Sequence, residues 1–245
     1  MGSAAHSDVS WWEANYYPAA GEVVAWREHR GARDTPVFGG EDPHREKVSE
    51  SNGERAVRRA RTRIRRYATA NLLDRMIVLT WAEQGHDLRA AQRDVRRFIR
   101  YGLRQVLGYR GPYVVGWERH KSGAWHCNIL VDRNIEHGAL WAEWARGFVW
   151  IKRWKSRRGE SKRDGARSGA RYVAKYIAKD LAELPAGIHR YEVAQGYVVR
   201  AVRVYGTSPT SILVTIGRPV AYRFDAAAPE AGRGPPLMWA ALGGA

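Results

Sequence analysis

The chain has 245 residues, enough for one sizeable domain with tails, and its 41 lysines and arginines outnumber 25 acidic residues to give a formal net charge of +16. This excess favours a polyanionic partner, nucleic acid ahead of an anionic membrane surface, although a merely solvated basic surface would have the same composition. The single cysteine, Cys127, excludes an intramolecular disulfide and a cysteine-based metal site, and the absence of any run of 18 apolar residues excludes a membrane-spanning segment.

The first part of the chain contains two contrasting segments. Residues 1–52 mix glycine, proline and charge, and they predict a poorly ordered arm with one short element near residues 22–30. Residues 54–73 predict a helix with arginine on nearly all sides, a pattern typical of a phosphate-contacting surface. The arginines of this helix that we expect to bind DNA are Arg58, Arg59, Arg65 and Arg66.

A strand and a long helix come next. The β-branched run at 75–82 predicts a strand, and Asp87 predicts the cap of a helix that continues to about Leu107, with Gly108 after its end. The helix should bury one side, formed by Leu88, Ala91, Val95, Phe98, Ile99, Gly102 and Val106.

The remaining elements follow in a strand-rich order. The sequence predicts a β-hairpin (112–120 and 124–132), a helix (136–147), a strand (148–155), a basic loop (156–165) and a helix that carries residues 171–180. Three strand-like stretches follow at 189–196, 197–206 and 211–217, before a loose tail from residue 226. The basic residues around the loop that we expect to bind DNA are Lys152, Arg153, Lys155, Arg157 and Arg158.

These elements predict an α+β fold with a single, mostly antiparallel sheet and helices packed on one face. The hairpin requires antiparallel pairing, and the strands outnumber the crossover helices. We expect an arm over 1–52, a domain over 53–225 and a flexible tail over 226–245. No G-x-x-x-x-G-K-[ST] motif is present, which excludes a P-loop ATPase.

The hairpin predicts a metal site. Side chains alternate along a strand, so His126 and Asn128 share one face, opposite the apolar face of Cys127 and Ile129. A three-residue turn that ends at Gly123 pairs Glu118 with His126. The carboxylate, imidazole and amide of Glu118, His126 and Asn128 then converge and can bind Mg²⁺ or Mn²⁺.

Two alternatives to this site remain open. A two-residue turn would pair Glu118 with Cys127 and separate the ligands. A half-exposed polar sheet face with a Glu–His hydrogen bond would also explain the residues without any metal.

The motif Tyr-x-x-Lys occurs twice in succession. At 100° per residue, Tyr172, Lys175, Tyr176 and Lys179 form one stripe, opposite an apolar side. A phenol can attack a phosphodiester when its proton is removed and the phosphate charge is neutralised, and a lysine one turn away should favour the phenolate. These four residues are therefore candidates for catalysis. An amphipathic helix whose tyrosines merely cover a basic face is the alternative.

Three segments together resemble the His-hydrophobic-His (HUH) endonucleases. They are the strand 77–81, the ligand strand 126–128 and the doubled-tyrosine helix 172–179. The doubled tyrosines are similar to those of the rolling-circle replication initiators of small single-stranded DNA phages and plasmids. The resemblance covers roughly residues 74–182, with a weaker downstream element at 189–196, and it implies a ferredoxin-like or palm-like core.

The resemblance implies metal-dependent nicking of single-stranded or hairpin origin DNA. A tyrosine would form a 5′-phosphotyrosine and free a 3′-hydroxyl for priming, and the second tyrosine would act in the next cleavage. Glu118 stands where many members take an acidic third ligand. Asn128 replaces the second metal histidine, which should weaken metal affinity, and His120 on the same face could compensate.

The resemblance also implies partners and a setting. Without a P-loop, unwinding would fall to a host helicase, and a host polymerase would extend the primer. The first residues lack the basic start and apolar run of a signal peptide, so we expect a phage- or plasmid-encoded protein in the cytoplasm of a bacterial or archaeal host. The rival interpretations are a non-catalytic DNA- or RNA-binding protein and a related transposase or relaxase.

Overall fold

A computed structural model describes residues 11–27, 52–83, 87–120, 122–154, 161–179, 191–226 and 237–243. The chain divides into two compact units, one within residues 51–199 and one within residues 1–50 and 200–245. The strands are β1 (Trp12–Tyr17), β2 (Glu22–Arg27), β3 (Arg75–Leu79), β4 (Val114–Arg119), β5 (Trp125–Val131), β6 (Val149–Arg153), β7 (Tyr191–Val193), β8 (Val202–Gly206), β9 (Val220–Ala226) and β10 (Leu237–Leu242). The helices are α1 (Asn52–Ala70), α2 (Leu88–Arg97), α3 (His137–Trp144), α4 (Lys162–Lys179) and α5 (Pro209–Ile216).

Within residues 51–199, antiparallel strands form a five-stranded sheet in the order β6-β3-β5-β4-β7. The predicted α+β class is confirmed. The described residues, however, contain two antiparallel sheets rather than the single one that was predicted, because strands near both ends of the chain form a sheet of their own. None of the described helices is long and apolar enough to cross a bilayer.

One face of the sheet in residues 51–199 is apolar at its centre, with Arg75, Arg119, Arg153 and Glu192 towards its edges, and we call it the apolar face. Its apolar residues include Ile77, Leu79, Val115, Trp117, Cys127, Ile129 and Val131. Helices α2 and α3 cover this face, with Val95 and Trp144 among their buried contacts. This packing forms the larger part of the unit's core.

The opposite face has both apolar and polar residues, and we call it the mixed face. Its residues are Met76, Val78, Val114, Gly116, Glu118, His126, Asn128, Leu130, Trp150 and Lys152. Helices α1 and α4 pack on it, so the prediction that helices cover only one face was wrong. Helix α1 buries Ile64 and Tyr67, which lie between its arginines in the sequence. The sequence analysis did not predict this apolar stripe, because arginines lie on nearly all sides of the helix.

Gly116 determines how closely α4 approaches the sheet. A β-carbon at this position would lie only 2.4 Å from Cγ1 of Val173. Helix α4 therefore rests almost directly on the backbone of β4. This contact brings the helix over the part of β4 and β5 that contains Glu118 and Asn128.

The turn between β4 and β5 confirms the pairing predicted from the sequence. Glu118 lies opposite His126, and the His120 amide donates to the carbonyl of Ala124 over 2.8 Å. Gly123 has a φ of +86°, in the left-handed region that the turn requires. The alternative pairing of Glu118 with Cys127 is excluded.

Helix α2 begins as predicted but changes form. The Asp87 carboxylate accepts a hydrogen bond from the amide of Ala90, which caps the helix. The helix then continues as a π-helical segment, Phe98–Val106. This change of winding buries Leu103 and leaves Val106 63% exposed, so Val106 was wrongly placed on the buried side.

Helix α4 begins earlier than predicted. It starts at Lys162, inside the predicted loop 156–165, because the Ser161 amide and hydroxyl both donate to the Asp164 carboxylate, at 2.9 and 2.7 Å. Residues 155–160 lie outside the described part of the chain. Strands β7 and β8 confirm two of the three later strand predictions.

Within residues 1–50 and 200–245, the strands form a sheet in the order β8-β1-β2-β10-β9. Ala14, Val23 and Met238 are buried against Ile212 of α5. The sequence predicted a strand at 211–217, but α5 is a helix, with Ser208 capping the amide of Ser211 and Pro209 in the first turn. The strand prediction was wrong because it gave more weight to the β-branched residues than to the capping residues Ser208 and Pro209.

The predicted arm and tail both contribute strands to this second sheet. Residues 12–17 and 22–27 form β1 and β2, and residues 237–242 form β10. The rest of the predicted arm, and residues 227–236 and 244–245 of the tail, lie outside the described residues. The division into domains at 52/53 and 225/226 stays a prediction.

Candidate functional site

Glu118, His126 and Asn128 lie together on the mixed face. Glu118 is directly opposite His126, and the Asn128 side chain donates a hydrogen bond from Nδ2 to Glu118 Oε2 over 3.3 Å. Asn128 is only 2% exposed, so this hydrogen bond is shielded from water. The three side chains converge as the turn geometry predicted, while their role as metal ligands stays a prediction.

Burial governs the protonation of His126. Desolvation lowers the pKa of His126, the carboxylate of Glu118 opposes this, and His120 adds to the lowering. The imidazole is therefore neutral at pH 7, which is the form that can bind a metal ion. The His120 ring stacks on His126 with 5.3 Å between centroids, and its Nδ1 lies 3.0 Å from Ser122 Oγ in the turn.

The donor set fits a divalent cation by its chemistry. A carboxylate, a neutral imidazole and an amide oxygen are hard to borderline ligands. The hydrogen bond to Glu118 uses Nδ2 of Asn128, so the amide would have to rotate by about 180° to place its oxygen beside the carboxylate at a cation. Across the described residues, no group of three or more His, Cys, Asp and Glu side chains is arranged to hold a metal ion. The predicted site has two such side chains, and it depends on the amide of Asn128 for a third ligand.

The two tyrosines project from α4, the helix that covers the mixed face. The rings of Tyr172 and Tyr176 are 5.1 Å apart, and Tyr172 also packs against Trp154 at 5.3 Å. Tyr172 is partly buried against the core between α4 and the sheet. The prediction that both tyrosines avoid the apolar side was therefore wrong for Tyr172, which lies at the boundary between the buried and exposed sides.

Tyr172 is held in its protonated form. Burial raises the pKa of its phenol, and a hydrogen bond with Tyr176 and the negative charge of Glu118 raise it further. None of these contributions comes from a lysine, so the expectation that a lysine favours the phenolate gains no support at Tyr172 and stays a prediction. Lys175 instead lies near Tyr176, with its Nζ 5.8 Å from that ring centroid.

Lys152 approaches Tyr172 from β6. Its Nζ is 5.3 Å from the centroid of the Tyr172 ring and 4.2 Å from that of Trp154. The sequence predicted Lys152 only as a DNA contact on a basic loop. Its position on the mixed face puts a positive charge beside the tyrosine.

The other predicted DNA-binding residues are distributed over α1 and β6. Arg58, Arg59 and Arg153 are exposed, and Arg65 and Arg66 are partly buried. The residues whose side chains lie outside the described part of the chain are Lys155, Arg157, Arg158 and Lys179. Of this group, Lys152 lies beside a predicted catalytic residue, Tyr172.

Sequence reasoning missed two residues that shape the site, Trp154 and Gly169. A β-carbon on Gly169 would lie 2.8 Å from Cδ1 of Trp154, so this glycine lets α4 pack against the indole that supports Tyr172. The signal that could have found Gly169 is Gly-x-x-x-Gly at 165–169, which is compatible with a close approach on one side of a helix. No local signal indicates Trp154 as its partner.

Residues 74–181 match the family model of the replication-associated proteins ORF2/G2P. The match covers less than half of the chain and contains the β4–β5 hairpin and both tyrosines of α4. The match supports the interpretation of the chain as a replication-associated protein, and so connects it with DNA replication. No curated protein and no solved structure matches the chain.

Proposed function

We propose that the chain is a rolling-circle replication initiator that nicks and rejoins single-stranded DNA through a 5′-phosphotyrosine, with Mg²⁺ or Mn²⁺ as its cofactor. One observation carries the proposal: the helix with Tyr172 and Tyr176 covers the sheet face of Glu118, His126 and Asn128. The similarity of residues 74–181 to replication-associated proteins gives independent support. Nucleophiles beside a carboxylate and an imidazole suit phosphoryl transfer to a side chain.

In the proposed reaction a tyrosine hydroxyl attacks the scissile phosphorus. The new bond from the tyrosine oxygen to phosphorus replaces the bond to the DNA 3′-oxygen, so the phosphate stays on the 5′ side of the downstream strand. The phenol loses one proton and the leaving oxygen gains one, so the step consumes neither water nor ATP. A DNA 3′-hydroxyl can later attack the phosphotyrosine and rejoin the strand.

The residues around Tyr172 would prepare this attack. The phenol enters in its neutral form, because burial and its neighbours raise its pKa. Lys152 lies beside the ring, where its ammonium can offset the negative charge that develops on the phenol and the phosphate. Trp154 packs against Tyr172 and restricts the directions in which the hydroxyl can point.

Glu118, His126 and Asn128 would hold the cation. When bound, the ion supplies positive charge that polarises a phosphoryl oxygen. The hydrogen bond from Asn128 orients the Glu118 carboxylate, and burial keeps His126 neutral. His120 lies beside His126 as an additional candidate ligand.

Two tyrosines on one helix suit two successive cleavages. One helical turn is about 5.4 Å, and the two rings are 5.1 Å apart. A small shift of the DNA would bring either hydroxyl to the same phosphate. Lys175, and Lys179 one turn further, would then contact phosphate oxygens near Tyr176.

The proposed function requires a DNA substrate and host partners. Origin DNA would be bound as a single strand or a hairpin, and a host helicase and polymerase would unwind and copy it in the cytoplasm. A transposase or conjugative relaxase would share the nicking chemistry but differ in its DNA target. Two tyrosines on one short helix favour the replication initiator.

A non-catalytic DNA- or RNA-binding protein is the second candidate. It is favoured because, among the described residues, no three His, Cys, Asp or Glu side chains form a group that could hold a metal ion. Such a protein would bind nucleic acid through the same basic surface and form no covalent link.

The strand polarity of a covalent adduct distinguishes these candidates. The chain is incubated with a random-sequence single-stranded DNA pool and Mn²⁺, and the mixture is run on a denaturing gel. We expect labelled protein when the DNA is labelled at its 3′ end and none when it is labelled at its 5′ end, because the tyrosine retains the downstream strand. EDTA should remove the adduct, and binding without any adduct would favour the second candidate.

A further inference from the structure

Trp150 occupies an unusual place on the mixed face. It lies in β6, an edge strand, directly opposite Val78 of β3, which is itself opposite Asn128 of β5. Neighbouring strands are about 4.8 Å apart, so Trp150 lies about 10 Å across the sheet from Asn128. It is 73% exposed and is the most exposed of the tryptophans.

The fold gives Trp150 no packing role within the described residues. Trp154, four residues further along the chain, packs on Tyr172. Trp117 of the apolar face packs on Trp81. No described aromatic ring stacks on Trp150. The indole therefore leaves a flat aromatic surface open on the mixed face, where it can stack on a ligand.

Lys152 connects Trp150 to the tyrosine site. The two residues are two positions apart on one strand, so their side chains leave the same face about 7 Å apart. The Lys152 ammonium lies 5.3 Å from the ring of Tyr172. A path therefore runs along β6 from the phenol, past a positive charge, to an exposed aromatic surface.

An alternation of cation and open aromatic surface matches single-stranded nucleic acid. Phosphates need positive charge, while an unpaired base offers a flat surface on which an indole can stack. A base inside a duplex is already stacked on both sides and offers no such surface. The net charge of +16 favours the same polyanionic occupant over an apolar protein partner.

We propose that Trp150 and Lys152 form a subsite for the nucleotide next to the scissile phosphate, in which Trp150 stacks on the base and Lys152 contacts the backbone phosphate. This subsite rests on the proposed function, because that function is what places a scissile phosphate beside Tyr172. Because it requires an unpaired base, it makes Trp150 a determinant of preference for single strands over duplex.

Binding measurements in EDTA test the subsite separately from the chemistry. The full chain and its Trp150→Ala variant are compared by fluorescence anisotropy on labelled oligothymidylate, on an abasic deoxyribose-phosphate oligomer of equal length and on a duplex. We expect Trp150→Ala to weaken binding to oligothymidylate roughly tenfold and to change binding to the other two little, since only the first offers bases to stack. Trp150→Phe should recover most of the loss.

Two further variants serve as controls. Trp141→Ala removes a 58% exposed tryptophan from α3, which packs on the apolar face, and it should leave all three affinities unchanged. Lys152→Ala should weaken binding to oligothymidylate and to the abasic oligomer alike. For each oligomer it should reduce the slope of log affinity against log salt by about 0.7.

The subsite is wrong if Trp150→Ala binds oligothymidylate like the parent chain, or if its loss is the same on the abasic oligomer. A change from dimer to monomer in Trp150→Ala, with unchanged DNA binding, would also overturn it and assign the indole to self-association. Failure of the parent chain to form a covalent adduct would instead count against the proposed function, and the binding comparison would still decide whether Trp150 stacks on bases.

Discussion

The two faces of the sheet in residues 51–199 differ in what their alternate residues do. On β5, Cys127 and Ile129 are fully buried under α2 and α3, whereas His126 and Asn128 point to the side of α4. The centre of the apolar face contains groups that stabilise the fold by leaving water, and its charged residues lie towards the edges. The mixed face buries less apolar surface at this end, because Glu118, His126 and Asn128 place polar groups under the helix that contains Tyr172 and Tyr176. This contrast separates the residues that support the fold from those available for chemistry.

The largest effect should come from comparing two residues of β5 that lie on opposite faces of the sheet. Ile129→Ala removes a fully buried side chain from the apolar face, and we expect it to lower the free energy of unfolding by about 2–5 kcal/mol. His126→Ala changes a partly buried residue of the mixed face. It should cost less than about 1 kcal/mol and yet remove the metal-dependent adduct. Urea denaturation followed by circular dichroism measures the first quantity. Equal losses of stability would erase the contrast between the faces.

A smaller effect is expected where α4 touches the sheet. Gly116→Ala forces a methyl group against Val173, and overpacking of this kind costs about 1–3 kcal/mol. We also expect a lower adduct yield, since α4 must move away from Glu118 and Asn128. The double variant Gly116→Ala with Val173→Ala should recover stability relative to Gly116→Ala alone. A double variant no more stable than the single one would show that the close approach does not limit the packing.

The sequence predicted the mixed face better than it predicted what covers it. The pairing of Glu118 with His126 followed from a three-residue turn that ends in Gly123, and both signals are local. The covering of Tyr172 by Trp154 depends on where β6 lies beside α4, which no local pattern specifies. The helix position emerged only from contacts between distant segments.

The second sheet was missed for a similar reason. Strand β2, at residues 22–27, pairs with β10, at residues 237–242, across almost the whole chain. Their short apolar runs lie among glycine, proline and charge, and each alone predicts an arm or a tail. Helix α5 is different, because the Ser208–Pro209 signal was present in the sequence and was outweighed by β-branched residues.

A change at Asn128 would sharpen the comparison by altering one of the proposed metal ligands. Asn128→His introduces the imidazole that the resemblance to the His-hydrophobic-His endonucleases predicts at this position, and it should lower the Mn²⁺ concentration that gives half-maximal adduct. The measurement is a metal titration of adduct yield, with the chain's circular dichroism spectrum as a check on folding. A higher requirement for Mn²⁺ in a folded variant would argue against Asn128 as a ligand.

The smallest effect concerns the exposed arginines of α1, on the mixed side of the sheet. Arg59→Ala should reduce the slope of log affinity against log salt for single-stranded DNA by about 0.7, as expected for one lost phosphate contact. Arg93→Ala is the matched control, because it removes an exposed arginine from α2 on the apolar side. Identical slopes for the two variants would show that the arginines of the two sides do not differ in DNA contact.

The central claim is that Tyr172 and Tyr176 are the nucleophiles, and replacing their hydroxyls tests it most directly. Adduct formation with 3′-labelled single-stranded DNA and Mn²⁺ is scored for Tyr172→Phe, for Tyr176→Phe and for the double variant. We expect each single variant to retain part of the adduct, and the double variant to form none while binding DNA nearly as the parent chain does. Adduct formation by the double variant would contradict the account, because the attacking group would then lie elsewhere.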